Sequence, residues 1–303
     1  SGHEQSRGPQ GCHHGQVLDP RLVAEARREE LGYFVEKQVW FKRPRADAYK
    51  RQGKPPVTVK WVDVNKGDDI NPRYPSRLVA RQMKCMDSSG ESFFAPTPPL
   101  ESLRMVLSMA TSSIGAWKVD QDPTSERRTQ ISLIDISRAY FNAKVDDDAP
   151  TFVQLPPEDA DHGVLCAKLL RHMYGTRAAA DGWQEEYSTM LVRHGFRQGK
   201  SCPNFFHHPT RHLVVSVHGD DFTSSGPSDA MDWFEESVAQ RYAISIDPRM
   251  GPGPSDAKEG RVLNRVVRWC STGIEYKADP HQVERLVAEC GLEGANPLST
   301  PWR

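Results

Sequence analysis

Two places in this sequence put carboxylates where they are costly to leave unpartnered. Asp135 sits late in the apolar run ISLIDISRAYF, and Asp220 with Asp221 interrupts LVVSVHGDDF. A carboxylate at the end of a buried strand is held by a salt bridge, a capping role or a cation. Three of them converging repel one another unless a divalent ion sits between, and hard oxygen ligands plus substrate phosphates are what Mg²⁺ takes. Two strands meeting at Asp135 and Asp220 therefore predict a two-metal phosphoryl-transfer site, for two Mg²⁺ ions or Mn²⁺ in their place. Each feature also has an ordinary alternative. Asp-Asp in a Gly-containing turn is common hairpin chemistry, and a lone Asp also caps helices. Geometry separates these: carboxylates of Asp135 and Asp220 more than about 8 Å apart could not share ions roughly 3.5–4 Å apart.

Other groupings are less specific. Cys12-His13-His14 lies in a polar stretch with no fourth ligand at motif spacing, and Cys202 with His207 and His208 has the same weakness. Asp146-Asp147-Asp148 sits before Pro150 and reads as a solvated acidic turn. The six cysteines are scattered without a C-x-x-C, so neither a disulfide framework nor a zinc knuckle is indicated, and a reducing compartment is expected.

The elements that must carry the aspartates follow from periodicity. VTVKWVDV (57–64) and RYPSRLVARQM (73–83) alternate as two strands around the turn cluster NKGDDINP, a basic β-hairpin. Pro98-Pro99 opens a helix through LESLRMVLSMATS, whose Leu100, Leu103, Val106, Leu107 and Ala110 recur at helical spacing. Thr129–Ile136 is a strand that continues as a short helical turn to Asn142. TFVQLPP and VLCAKLLRHM are two more strands, Ala178–His194 a helix, and LVVSVHGDDFTSSG two strands around a tight turn. Ser228–Arg241 is a helix and Tyr242–Ile246 a strand. Gly260–Trp269 with Ile274–Lys277 forms a hairpin, and Pro280–Cys290 a last helix. Irregular alternation with several hairpins predicts an α+β fold, an antiparallel sheet with helices on one face, and not a doubly wound parallel one.

Length and charge bound the rest. At 303 residues the chain holds one large domain or two ordinary ones. Mean hydropathy is −0.63 and no run approaches the roughly 18 apolar residues of a membrane helix, so no membrane span is expected. The chain begins at Ser1 without a charged-then-apolar leader, which suggests a fragment of something longer. Net charge is −1, which taken whole argues against a strongly basic nucleic-acid binder. By segment the sign alternates: +5 over 1–60, −5 over 106–163, +3 over 164–220 and −4 over 221–303. A fold that gathers the acidic residues and rings them with basic ones could bind metal at the first and phosphate at the second.

In their order, these blocks resemble the copia-type reverse transcriptase domain of LTR retrotransposon polyproteins, from about Val39 to Pro301. Tyr74-Pro-Ser-Arg-Leu-Val-Ala-Arg81 is similar to the fingers block, and Phe94-Ala-Pro96 with Leu103-Arg104 to the entry of the first palm helix. Leu133-Ile-Asp135-Ile-Ser-Arg-Ala-Tyr140-Phe141-Asn142 resembles the first catalytic motif. Tyr174-Gly175 with Trp183 resembles the block before the second palm helix, and His218-Gly-Asp220-Asp221-Phe222 the paired-aspartate motif. Leu298-Ser-Thr-Pro301 is similar to the passage toward an RNase H domain. Two departures stand out: His218-Gly219 where the family has Tyr-Val, and Arg177-Ala-Ala-Ala180 where it has Lys-Gln-Ala-Pro.

The resemblance implies a right-hand polymerase. Residues 1–38 would be a polar tail, partly disordered, with one short helix near Arg21–Leu31. Residues 39–97 would be fingers, 98–143 palm with the first catalytic motif, and 144–173 the return of the fingers. Residues 174–278 would be palm with the paired-aspartate hairpin and a primer-grip-like hairpin, and 279–303 the start of a thumb. It implies RNA-directed DNA polymerisation, with Asp135, Asp220, Asp221 and the backbone of Ile136 as metal ligands and Tyr140 as a steric gate selecting dNTPs. A core aromatic is the alternative for Tyr140. Arg77 and Arg81, four residues apart on a strand, share a face and could reach the triphosphate, or could be a solvated hairpin face. The backbone at Gly175 could approach the nucleotide closely because Gly has no side chain. Implied partners are an RNA or DNA template with primer, dNTPs, and the RNase H and integrase domains of the same polyprotein. The implied setting is a cytoplasmic virus-like particle, with nuclear entry left open, and not secretion. Two other readings stay open: a catalytically inactive nucleic-acid-binding remnant, and an unrelated metal-dependent phosphohydrolase, which would need a water-activating base beside the triad.

Overall fold

Pro20 closes one ring onto the first turn of a helix, and Asp19 before it turns its carboxylate onto the Arg21 N–H at 2.8 Å, which caps the first described element. The computed structural model describes residues 18–67, 70–82, 99–277 and 280–295. In chain order the elements are α1 (Pro20–Glu36), β1 (Trp40–Pro44), α2 (Arg45–Gln52), β2 (Val59–Asp63), β3 (Ser76–Ala80), α3 (Leu100–Met109) and β4 (Thr129–Ile136). A 3-10 turn, Ala139–Asn142, follows, then β5 (Phe152–Gln154), β6 (Leu165–Leu169), α4 (Ala179–Arg193), β7 (Arg197–Gln198) and β8 (Phe205–His208). The chain continues through β9 (Leu213–His218), β10 (Asp221–Pro227), α5 (Ser228–Ala239), β11 (Ile244–Ile246), β12 (Glu259–Val262), β13 (Arg265–Cys270), β14 (Gly273–Tyr276) and α6 (Pro280–Glu289). Phe94–Pro96, Leu298–Pro301 and Cys12–His14 lie outside the described residues. Among the described residues no helix is long and apolar enough to cross a membrane.

The chain forms two compact units, Ser1–Pro96 with Arg138–His194, and Thr97–Ser137 with Gly195–Arg303. In the first, the antiparallel sheet β1-β6-β5 and the hairpin β2–β3 share a core of Phe34, Leu78, Phe141, Val153 and Leu169. Helix α1 packs on β3, with Val23 and Phe34 buried and Arg27 Nη2 paired to Asp63 Oδ2 at 2.6 Å. The short helix expected near Arg21–Leu31 is present and runs further than its apolar period suggests, as a 17-residue helix over Pro20–Glu36. The charged positions along ARREE dilute its apolar period, but the buried face is a real one. Helix α4 belongs to this unit, packed on the 3-10 turn. The structural division falls at Gly195, with Arg138–His194 in the first unit.

The second unit is built on a six-stranded antiparallel sheet in the order β11-β4-β10-β9-β8-β7. Side-chain parity sorts its two faces. Ile131 and Leu133 of β4 join Leu103 and Leu107 of α3 in one core cluster, and Ser216 of β9 meets Ser102 of α3 at 3.2 Å. The intervening residues point the other way: Ser132 Oγ donates to Glu235 of α5, and Ser224 Oγ to the Met231 sulfur of α5 at 3.5 Å. Helices therefore cover both faces, which corrects the expectation of one covered face. The physical reason is that β4 and β10 are buried at both parities, as strands are when each side has a cover. The expected strand Gly260–Trp269 is also corrected. It breaks into β12 and β13 at Leu263 and Asn264, both at positive φ (49° and 62°), and β14 completes a three-stranded sheet.

Candidate active site

Register brings the first two carboxylates together. β10 runs antiparallel to β4 with Asp221 directly opposite Asp135, and Asp221 also pairs with His218 of β9. Directly opposed residues on one face have Cβ atoms about 4.5–5.5 Å apart, so the two side chains are neighbours. The third carboxylate comes from the turn. Gly219 and Asp220 form the two-residue loop between β9 and β10, with Gly219 at φ +64° and only the first loop residue at positive φ, as in a type II′ turn. Nothing lies within 4 Å of where a Gly219 Cβ would be, so the backbone conformation and not crowding calls for glycine there. The Asp220 carbonyl accepts the Ile136 N–H at 3.0 Å and ties the turn to the end of β4. As a result one carboxylate oxygen from each of Asp135, Asp220 and Asp221 lies within 4.8 Å of the others. That is well inside the separation beyond which two ions could not be shared.

The electrostatics follow from this crowding. Burial pushes the Asp221 carboxyl up to about 6, the negative charges of Asp220 and Asp135 add to the rise, His218 opposes it, and Asp247 adds to it. Asp135 and Asp220 are exposed and Asp221 half-buried, so the cluster is open to solvent on one side. An all-oxygen donor set with three formal negative charges fits a hard divalent cation such as Mg²⁺ or Mn²⁺. Beside Asp221 a crevice is lined by Ser102 and Leu103 of α3, Ser216, Thr223, Val262 and Leu263.

Among the described residues no other group of His, Cys, Asp and Glu converges in this way. Cys202 with His207 and His208, and Asp146–Asp148, therefore do not form metal clusters there. The His208 ring instead packs edge-on against Phe196 and Trp233, at 5.2 and 5.4 Å between centroids. Ile136 is buried on β4 with its N–H engaged by Asp220. Asp247 was not singled out in the sequence. Its N–H donates to the Leu133 carbonyl just past β11, and only the pairing of β11 with β4 reveals it as a neighbour.

The remaining candidates belong to the first unit. Tyr140 is half-buried in the 3-10 turn, edge-on to Tyr174 at 4.9 Å. Arg77 on β3 pairs with the buried Glu30 of α1 at 3.3 Å. Arg81 lies one residue past β3, exposed, with its N–H donating to the Thr58 carbonyl at 2.8 Å. Gly175 has φ +81°, and a Cβ there would stand 2.0 Å from the Ala80 carbonyl oxygen. The close approach that demands glycine at 175 is thus to β3 itself.

Comparison with known proteins bears on what this arrangement does. A family model described as reverse transcriptase (RNA-dependent DNA polymerase) matches residues 49–247. Over 268 residues the chain is 24% identical to the retrovirus-related Pol polyprotein from transposon RE2 of Arabidopsis thaliana. That similarity covers 82% of this chain and 16% of the polyprotein, so the chain spans about a sixth of its relative's length.

Proposed function

The chain belongs to the reverse transcriptase (RNA-dependent DNA polymerase) family, and from that premise we propose that it extends a primer 3′-hydroxyl with dNTPs by in-line displacement at Asp135, Asp220 and Asp221. The observation that carries the reading is the convergence of those three carboxylates, two by strand register and one by the turn. Two divalent ions, when bound, lower the pKa of the attacking hydroxyl and offset charge on the triphosphate and leaving pyrophosphate. The chain's own part is to hold that charge. Asp135 and Asp220, both exposed, are the firmer ligands, and the Ile136 backbone joins them. Asp221, whose carboxyl is raised to about 6, is ionised at neutral pH and would add a third negative charge to the set that holds the cations.

In this reading the second unit is the palm, the first unit the fingers, and α6 the start of the thumb of a right-hand polymerase. Tyr140 selects against a ribose 2′-hydroxyl, and Arg81, exposed just past β3, is a cation of the hairpin that reaches toward the triphosphate. Arg77, Gly175 and the β12–β13–β14 sheet have supporting roles around primer and nucleotide. Template, primer and the other domains of a Pol polyprotein are the partners.

The test is primer extension on poly(rA)/oligo(dT) with Mg²⁺, comparing wild type with Asp220→Asn. Incorporation by the wild type and its loss by about 10²–10³-fold in the variant, the scale of removing one key electrostatic group, is the expected result. Equal incorporation by both proteins removes the assigned site.

A further inference from the structure

Arg138 is the third residue after Asp135 and the second before Tyr140, and it adopts a conformation that L-residues avoid. Its φ and ψ are both 50°, in the left-handed region, where a non-glycine side chain is strained against its own backbone. It is also the residue from which the 3-10 turn starts: the Arg138 carbonyl accepts the Phe141 N–H at 2.9 Å, and the Tyr140 carbonyl accepts the Ala143 N–H at 3.1 Å. A strained residue at the head of a short turn persists only if its surroundings hold it.

Two side chains of α1 do so. Glu30 and Tyr33 are three residues apart and share a helix face. Glu30 Oε2 accepts the Arg138 Nε–H at 2.9 Å, and the Arg138 guanidinium carbon stands 3.3 Å from the centre of the Tyr33 ring. The guanidinium is thus held between a carboxylate and an aromatic face. Glu30 is buried to 1% exposure, its Oε2 also receives Arg77, and its Oε1 has no hydrogen-bond partner among the described residues. A desolvated carboxylate with one oxygen unsatisfied is a poor stabiliser of the fold. A geometric role explains better why an ionisable group stands there. Arg77 in turn lies over Tyr174, the ring that meets Tyr140 edge-on.

We propose that Glu30 is a positioning residue for the turn that carries Tyr140: through Arg138 it holds the turn's backbone, through Arg77 it backs Tyr174, and together these set the preference for dNTP over rNTP. The link to nucleotide choice rests on the polymerase reading above. The link to the turn does not. Glu30 lies outside the matched span 49–247, so α1 is by this inference a working part of the domain and not a leader to it.

The experiment compares wild type, Glu30→Gln and the charge-retaining Glu30→Asp by amide hydrogen exchange and by the ratio of rNTP to dNTP incorporation. Faster exchange of the Phe141 and Ala143 amides in Glu30→Gln is expected, by about 10-fold, with the Val215 amide of the second unit unchanged as a control. The rNTP-to-dNTP ratio should rise by a similar factor, with Glu30→Asp between the two. Should Glu30→Gln not fold, Glu30→Asp alone decides by the same two readings. Unchanged exchange at Phe141 and Ala143 in a folded variant overturns the proposal, as does faster exchange with an unchanged nucleotide ratio. A wild type that incorporates nothing refutes the polymerase reading instead, and exchange at those two amides still upholds or overturns the hold of Glu30 on the turn.

Discussion

Replacing Asp221 with Asn should damage catalysis and yet stabilise the metal-free protein. In the folded state Asp221 faces Asp135 across the β4–β10 ladder, next to Asp220, and its carboxyl is pushed from 3.8 to about 6 by burial and by those charges. That rise corresponds to an upper bound of about 3 kcal/mol against the ionised form. The side chain keeps solvent access, so screening reduces the net penalty to about 1 kcal/mol, in line with the ~0.2–1 kcal/mol for like charges facing each other in a sheet. The sign follows from linkage: a folded-state pKa above the unfolded one penalises ionisation on folding, so stability is lost as pH rises from about 4 to about 6. In chelator at pH 7.5 the Asp221→Asn variant should melt about 2–4 °C above wild type, and the difference should vanish near pH 4. Saturating Mg²⁺ should reverse the order, because a ligand at 100 times its dissociation constant adds about 2.7 kcal/mol to a protein that binds it, and the variant has lost a ligand. The measurement is a thermal melt of both proteins at the two pH values with and without Mg²⁺. A variant no more stable than wild type in chelator at pH 7.5, or a difference that persists at pH 4, refutes the electrostatic account of the cluster.

Two further outcomes are expected. Tyr140→Ala should raise the rNTP-to-dNTP incorporation ratio by about 10-fold or more while losing an edge contact with Tyr174 worth about 0.5–1.5 kcal/mol; a changed melting point with an unchanged ratio would return Tyr140 to a packing role. Gly175→Ala should lower the melting midpoint more than Gly219→Ala, since both sit at positive φ but only at 175 does a new Cβ strike backbone, the Ala80 carbonyl. The strain alone is about 1–2 kcal/mol, so equal shifts in the two melts would contradict the crowding at β3.

The parts of the fold that were legible share one property, burial on both sides or a clear period. Thr129–Ile136 emerges with the bounds its apolar run suggests, and α5 follows from Ala230, Met231, Phe234 and Val238 on its buried face. Two carboxylates ending such runs are conspicuous because nothing in the runs themselves offers them a partner. What stayed hidden depends on the partner, not on the segment. Parity told that β4 had two faces, but not that α3 would take one and α5 the other. Leu263 and Asn264 turn the chain without a glycine or proline to announce it. Arg77 reads as a free cation until α1, 47 positions earlier in the chain, supplies Glu30. β1 and β8 mix aromatic and charged or imidazole side chains, so no alternation marks them.

The pairing of Asp135 with Asp221 has a consequence for how such a domain decays. Side chains in a strand alternate sides with a period of two, so inserting or deleting one residue within β4 or β10 would swing its carboxylate to the side that α5 covers. The apolar residues of that strand would swing with it, and the core would be lost in the same event. A single-codon length change in either strand is therefore not a graded lesion. It removes the candidate catalytic centre and the stability of the second unit together, whereas the two-residue loop at Gly219 and Asp220 can change length at the expense of only one of the three aspartates.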